Sequence, residues 1–190
     1  MSSGSGHRED GGANAATPTV AAYDPRMMQE PRIVDFESRW RDDFARLNVE
    51  WLQRWFVVEP VDHEVLGDPQ THILASGGLI LFAVETDDAG RERAVGTVAL
   101  KHEGEGVYEL TKMAVAPEAR GHGVGRRLLQ ASLERYRALG GRELFLESSS
   151  LLEPAIRLYE SAGFVHHPAP RPGSHYARAD VYMVWTPPSV

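Results

Sequence analysis

The 190-residue chain contains no cysteine, which excludes disulfides, thiolate metal sites and a cysteine nucleophile and fits a cytoplasmic protein. It also lacks any apolar run approaching the ~18 residues that a membrane-spanning helix needs, and its N-terminus has no apolar signal-peptide core. Secretion and membrane insertion are therefore not expected. Basic residues are outnumbered, 20 Lys and Arg against 27 Asp and Glu, giving a formal net charge of −7 that disfavours nucleic acid or an anionic membrane as partner. The eight histidines are scattered without ligand spacing. His63-Glu64 opens like a zinc-binding HExxH helix, but Gly67 stands where the second histidine belongs, and no GxSxG nucleophile elbow occurs. No metal is expected.

What is present suits one domain with a tail. Hydrophobic residues make up 42% of the chain, enough for a sizeable core. Residues 1–30 are rich in Ser, Gly, Ala and Pro without apolar periodicity and read as a disordered or loosely docked leader, leaving 31–190 as the folded domain. A short strand is expected at 33–36. Trp40, Phe44, Leu47, Trp51 and Trp55 then recur at helical spacing and predict an amphipathic helix over about 37–56, with a second short helix after Pro60. Residues 79–84, 94–101 and 107–115 read as successive strands of an antiparallel meander. A helix from Val124 carries Leu128, Leu129, Ser132, Leu133 and Tyr136 on one face and stops at Gly140-Gly141. A strand at 143–147, a helix around Pro154 ending near Ala162, and strands at 164–165 and 181–185 complete an α/β sheet of mixed direction.

The most informative stretch is ELTKMAVAPEARGHGVGRR at 109–127, where an apolar strand runs into a glycine-rich turn that opens a helix. Gly121, Gly123 and Gly125 let the backbone approach an anion closely, and the helix behind them aims its unpaired N–H groups and positive dipole end at it. Arg120, Arg126 and Arg127 add positive charge. The turn fits neither the dinucleotide fingerprint GxGxxG nor a nucleoside-triphosphate loop, which would need a following Gly-Lys-Ser or Gly-Lys-Thr.

Arg120, Gly123 and Gly125, preceded by Met113, Ala114, Val115, Ala116 and Pro117, resemble motif A of the GNAT (GCN5-related) N-acetyltransferases. Downstream, AIRLYESAGF at 155–164 resembles that family's A-x-x-LY-x-x-x-GF segment, at the expected distance. The resemblance implies a mixed, mostly antiparallel central sheet flanked by helices, acetyl-CoA as co-substrate and direct transfer to an amine through a tetrahedral intermediate. By the same resemblance the backbone at Met113 and Val115 pairs with the pantetheine arm, and main-chain N–H groups there face the thioester carbonyl. The turn from Arg120 through Gly121, His122, Gly123, Val124 and Gly125 to Arg126 holds the pyrophosphate. Tyr159 matches the family tyrosine that protonates the departing thiolate. One departure is Leu152, where the family often carries an asparagine; Ser148, Ser149 or Ser150 could supply the polar group instead.

Glu109 resembles the general base of the histone-acetylating branch, and simple alternation puts it on one strand face with Thr111, Met113 and Val115. A strand glutamate that pairs with an arginine or binds substrate is the other reading. Acceptor contacts are expected from Glu50, Trp51, Trp55 and Phe56 and from His166, His167, Tyr176 and Arg178. Arg178 suits a substrate carboxylate, unless it pairs with Asp180 or a neighbour. The acceptor is expected to be a small-molecule amine or an amino acid, a protein amine being the alternative. A non-catalytic acyl-CoA-binding module would share the phosphate turn but has no need of Tyr159 or Glu109. A homodimer is expected from the resemblance alone.

Overall fold

The computed structural model describes residues 30–168, 171, 173–174 and 176–187. The leader expected over 1–30 thus lies outside the described residues except for Glu30, as does part of the loop at 167–172. In chain order the elements are β1 (Arg32–Asp35), α1 (Arg41–Trp55), α2 (Pro60–Gly67), β2 (Leu79–Thr86), β3 (Glu92–Gly104), β4 (Val107–Val115), α3 (Val124–Ala138), β5 (Glu143–Ser148), α4 (Glu153–Ser161), β6 (Phe164–His166) and β7 (Val181–Trp185). The strands form one sheet in the order β1-β2-β3-β4-β5-β7-β6, with only β4 and β5 parallel. This is the mixed, mostly antiparallel α/β sheet that the sequence predicts.

Local chemistry explains most of the elements. β2 reads LILFAVET and is buried along nearly its whole length, as a central strand covered on both faces must be. The face of α3 expected from its periodicity is the face it buries: Val124, Leu128, Leu129, Ser132, Leu133 and Tyr136. That helix packs so closely on β3 that a Cβ at Gly96 would lie 2.9 Å from Leu128. α2 begins with a reciprocal capping box between Glu59 and Asp62 and has Pro60 in its first turn. Phe44, Phe82 and Phe145 are fully buried, each contributing about 2–3 kcal/mol from burial.

Three features depart from expectation. The helix expected over 37–56 opens as a 3-10 turn, Ser38–Trp40, where Arg39 pairs with Glu37 and Glu92. A single π-helical turn, Gln70–Leu74, precedes β2. The third departure bears on the site. On β3, Thr97 and Ala99 pair with Ala114 and Thr111 on β4, so Val98 alone opposes both Lys112 and Met113. This is a β-bulge, and Lys112 occupies it in the left-handed region at φ 52°. The extra residue breaks the alternation assumed from the sequence. Glu109 and Thr111 share a face with Ala114, whereas Val115 pairs with Gly96 on the face that meets α3.

Candidate active site

The ladder between β4 and β5 is three pairs long, ending at Glu109 opposite Phe145. Beyond it β4 continues to Val115 and β5 to Ser148 without pairing to each other, and a cleft of about 430 Å³ opens between them. The sheet is therefore split at the point where the sequence places its motifs.

The glycine turn forms one end of the cleft. Gly121 and Gly123 have φ of 79° and 78°, conformations that L-residues adopt at a cost, and an added Cβ at either would enter open space rather than protein. Gly123 caps α3, whose first N–H groups follow it. The turn thus offers backbone donors to an anion in an accessible position, which fits a pyrophosphate. Arg120 lines the cleft and donates from Nε to the Val115 carbonyl at 2.9 Å, stapling the turn to the end of β4. Met113, Val115, Gly121, Gly123, Val124 and Gly125 also line the cleft. Ala114 is buried beside β3, while His122 and Arg126 are exposed outside the cleft wall.

Tyr159, on α4, lines the cleft. Its ring packs against Phe164, its hydroxyl is 3.9 Å from the Met113 sulfur, and burial pushes its pKa up to about 12. It therefore keeps its proton throughout the physiological range and serves as a hydrogen-bond donor. Ser148 and Ser149 also line the cleft. Ser150 instead gives its N–H and hydroxyl to Asp180 at 2.7 and 2.6 Å.

Glu109 sits where the ladder ends and lines both the main cleft and a neighbouring cavity of about 150 Å³. It is 7% exposed, and its carboxylate has no hydrogen-bond donor among the described residues. Burial raises its pKa to about 7; Lys101 and Lys112 pull it down, and Glu103 and Glu147 push it up. Glu147 lines the same two cavities.

At the acceptor end the residues expected from the sequence divide. Glu50 is half exposed, does not line the cleft itself and lies 3.9 Å from Arg46, one turn away on α1. Trp51, Trp55 and Phe56 do line the cleft, Trp55 with 47% exposure. Arg178 does not reach Asp180. It gives two hydrogen bonds to Asp62, at 2.8 and 2.9 Å, and one to Glu59 at 2.8 Å. Asp62, fully buried on α2, also accepts from Lys112 Nζ at 2.7 Å, and Lys112 donates in turn to the Tyr176 hydroxyl at 3.1 Å. Burial alone would raise the Asp62 pKa, but the hydrogen bonds from Arg178 and Lys112 outweigh it and hold the carboxylate below its usual range. Burial and the nearby Glu109 and Asp62 carboxylates push Tyr176 up, so its phenol stays protonated. Asp62, Lys112 and the buried Asn48 on α1 are cleft residues that sequence reasoning missed. A buried aspartate one turn into a helix has no local signature, although a lysine inside the apolar run of β4 was a visible anomaly.

The comparisons with known proteins agree with this geometry. Residues 35–164 match the model of the acetyltransferase (GNAT) family. An uncharacterized N-acetyltransferase of Schizosaccharomyces pombe is 33% identical over 139 residues, covering 68% of this chain and 82% of the relative. The IAA acetyltransferase of Azospirillum brasilense is 41% identical over 129 residues, covering 67% and 80%. Among solved structures, a GNAT-family acetyltransferase of Staphylococcus aureus superposes with a TM-score of 0.70 at 16% identity, over 81% of this chain and 97% of the other. A phosphinothricin acetyltransferase of Sinorhizobium meliloti, solved with AcCoA, gives 0.63 at 20% identity over 82% and 88%. These two likenesses bear on the fold alone. With the family model spanning the split strands, the glycine turn and the tyrosine helix together, the chain belongs to the GNAT family and is an acetyl-CoA-dependent acetyltransferase.

Proposed function

We propose that the chain transfers acetyl directly from acetyl-CoA to the primary amine of a small molecule, with Glu109 as base and Tyr159 as donor to the leaving sulfur. The observation that carries this reading is Glu109: a buried carboxylate without a hydrogen-bond donor among the described residues, facing the cleft, with a pKa of about 7. Such a group is half ionised at neutral pH and can accept a proton from an incoming ammonium without holding it irreversibly. Acetyl-CoA supplies the activated acyl group. The backbone at Met113 and Val115 would hold its pantetheine arm, and the turn from Arg120 to Arg126 its pyrophosphate. Tyr159 holds its proton at a hydroxyl directed toward Met113, on the wall where that arm would pass. A phenol of pKa about 12 acts first by hydrogen-bonding the departing thiolate, whose own pKa as a free thiol is near ~8.5.

Arg178 bears on the acceptor. Its guanidinium is committed to Asp62 and Glu59, so a carboxylate on the acceptor would have to break that pairing. This favours a simple amine over an amino acid. A cytoplasmic location and a homodimer remain part of the proposal; light scattering on the purified chain tests the second. The catalytic reading is tested by release of CoA thiol from acetyl-CoA across a panel of diamines, polyamines, aminoglycosides, amino acids and short peptides, with IAA included because the A. brasilense relative is named for it. Release that depends on a small amine is expected. Release with peptides alone would overturn the small-molecule assignment.

A further inference from the structure

We propose that the buried Asp62–Lys112 ion pair is a positioning device for the transfer cleft: it holds the β4 bulge in its left-handed conformation and so sets the peptide groups that face the thioester. Lys112 is one of two non-glycine residues with positive φ among the described residues, and unlike Glu105, which sits in the β3–β4 turn, it lies within a strand. Left-handed backbone disfavours any residue with a Cβ, so the surroundings must hold it there. The ammonium's ion pair with Asp62, seconded by its hydrogen bond to the Tyr176 hydroxyl, can do so. The Lys112 side chain is 5% exposed and pairs with Asp62, which is fully buried and is itself fixed by Arg178 and by the capping box of α2. The ammonium therefore has one low-energy place to be, and the bulge is the backbone conformation that delivers it. Lys112 and Met113 together face the single residue Val98, and Met113 is the residue whose sulfur meets Tyr159. Through Lys112, α2 is thus coupled to the strand that lines the cofactor side, and through the Tyr176 hydroxyl to the acceptor side.

The inference rests on the reading that the bulged segment of β4 holds the pantetheine arm. Its test separates the pair's effect on the backbone from its charge. Acetyl-CoA affinity is measured by calorimetric titration for Lys112→Gly, Lys112→Asn and Lys112→Met, with circular dichroism to verify folding. All three lose the ammonium and keep the Asp62–Arg178 pair; they differ in tolerance of positive φ. Glycine should stay within about threefold of the parent and methionine should weaken about tenfold, with asparagine between them. Equal weakening in all three, or none in any, overturns the proposal. If Lys112→Met does not fold, Lys112→Ala replaces it with the same expected rank. Should the parent itself bind no acetyl-CoA, the proposed function fails separately. The positioning role is then decided by amide hydrogen exchange at positions 112 and 113 of the ligand-free chain, which alanine or methionine accelerates and glycine does not. Equal rates overturn it.

Discussion

The two ends of the cleft are built by different means. At the glycine turn the working groups are backbone N–H groups, supplied by one continuous stretch and shaped by Gly121 and Gly123. At the other end they are side chains from distant segments: Asp62 on α2, Glu109 and Lys112 on β4, and Tyr176 and Arg178 just before β7. A phosphate site made of peptide dipoles carries no desolvation debt of its own, so it tolerates an open, exposed position. Charges gathered in the interior must compensate one another, and loss of any one is felt throughout the cluster.

Removing the shared carboxylate should break this contrast most severely. Asp62→Ala leaves the Lys112 and Arg178 cations uncompensated and is expected to destabilise the fold by about 3–5 kcal/mol, read from the urea midpoint. A parent-like midpoint would mean the cluster is not the structural keystone. Glu109→Gln should lower kcat/KM by about 10²–10⁴-fold and flatten a pH profile that in the parent rises through about 7. The same change should stabilise the protein at alkaline pH. The carboxyl's folded value of about 7 lies above its ordinary 4.5, so the folded state binds more protons between them and stability falls as pH rises through that window. Removing the ionisation should return on the order of 2–3 kcal/mol at pH above 7, and unfolding curves at acid and alkaline pH check it.

Tyr159→Phe deletes a hydrogen bond to a developing charge and should cost about 10–100-fold in kcat with little change in the acetyl-CoA KM. A loss seen mainly in KM would make the hydroxyl a binding group instead. At the turn, Gly123→Ala places a Cβ at φ 78° and should weaken acetyl-CoA about tenfold while sparing the acceptor KM. The smallest effect is expected at the opposite end. Tyr176→Phe removes the hydroxyl that accepts from Lys112 and should raise the acceptor KM by about 2–10-fold with cofactor affinity intact. A matching loss of cofactor affinity would join the two ends that these variants treat as separate.

The same division governs what could be read from the letters. The glycine turn, the buried face of α3 and the order of strands are local or periodic properties, and they stand where the sequence puts them. Glu50 was expected at the acceptor side only because the family draws such contacts from its first helical region, which names an element without fixing which of its side chains reach the cleft; this one lies 3.9 Å from Arg46. The alternation argument for Glu109 failed at one residue: a bulge adds a position to one strand and leaves no mark in composition. Asp62 and Arg178 lie 116 positions apart, and only the closed fold brings them together.

The short ladder between β4 and β5 carries a further consequence, for solubility. A strand that runs on without a neighbour exposes unsatisfied peptide groups, and on a protein surface such an edge invites other chains to add to it and aggregate. Here the bare edge lies within a cleft lined by Trp51, Phe56, Leu158 and Tyr159 rather than on the open surface. Folding has turned a hazard of β-structure into a slot lined by side chains.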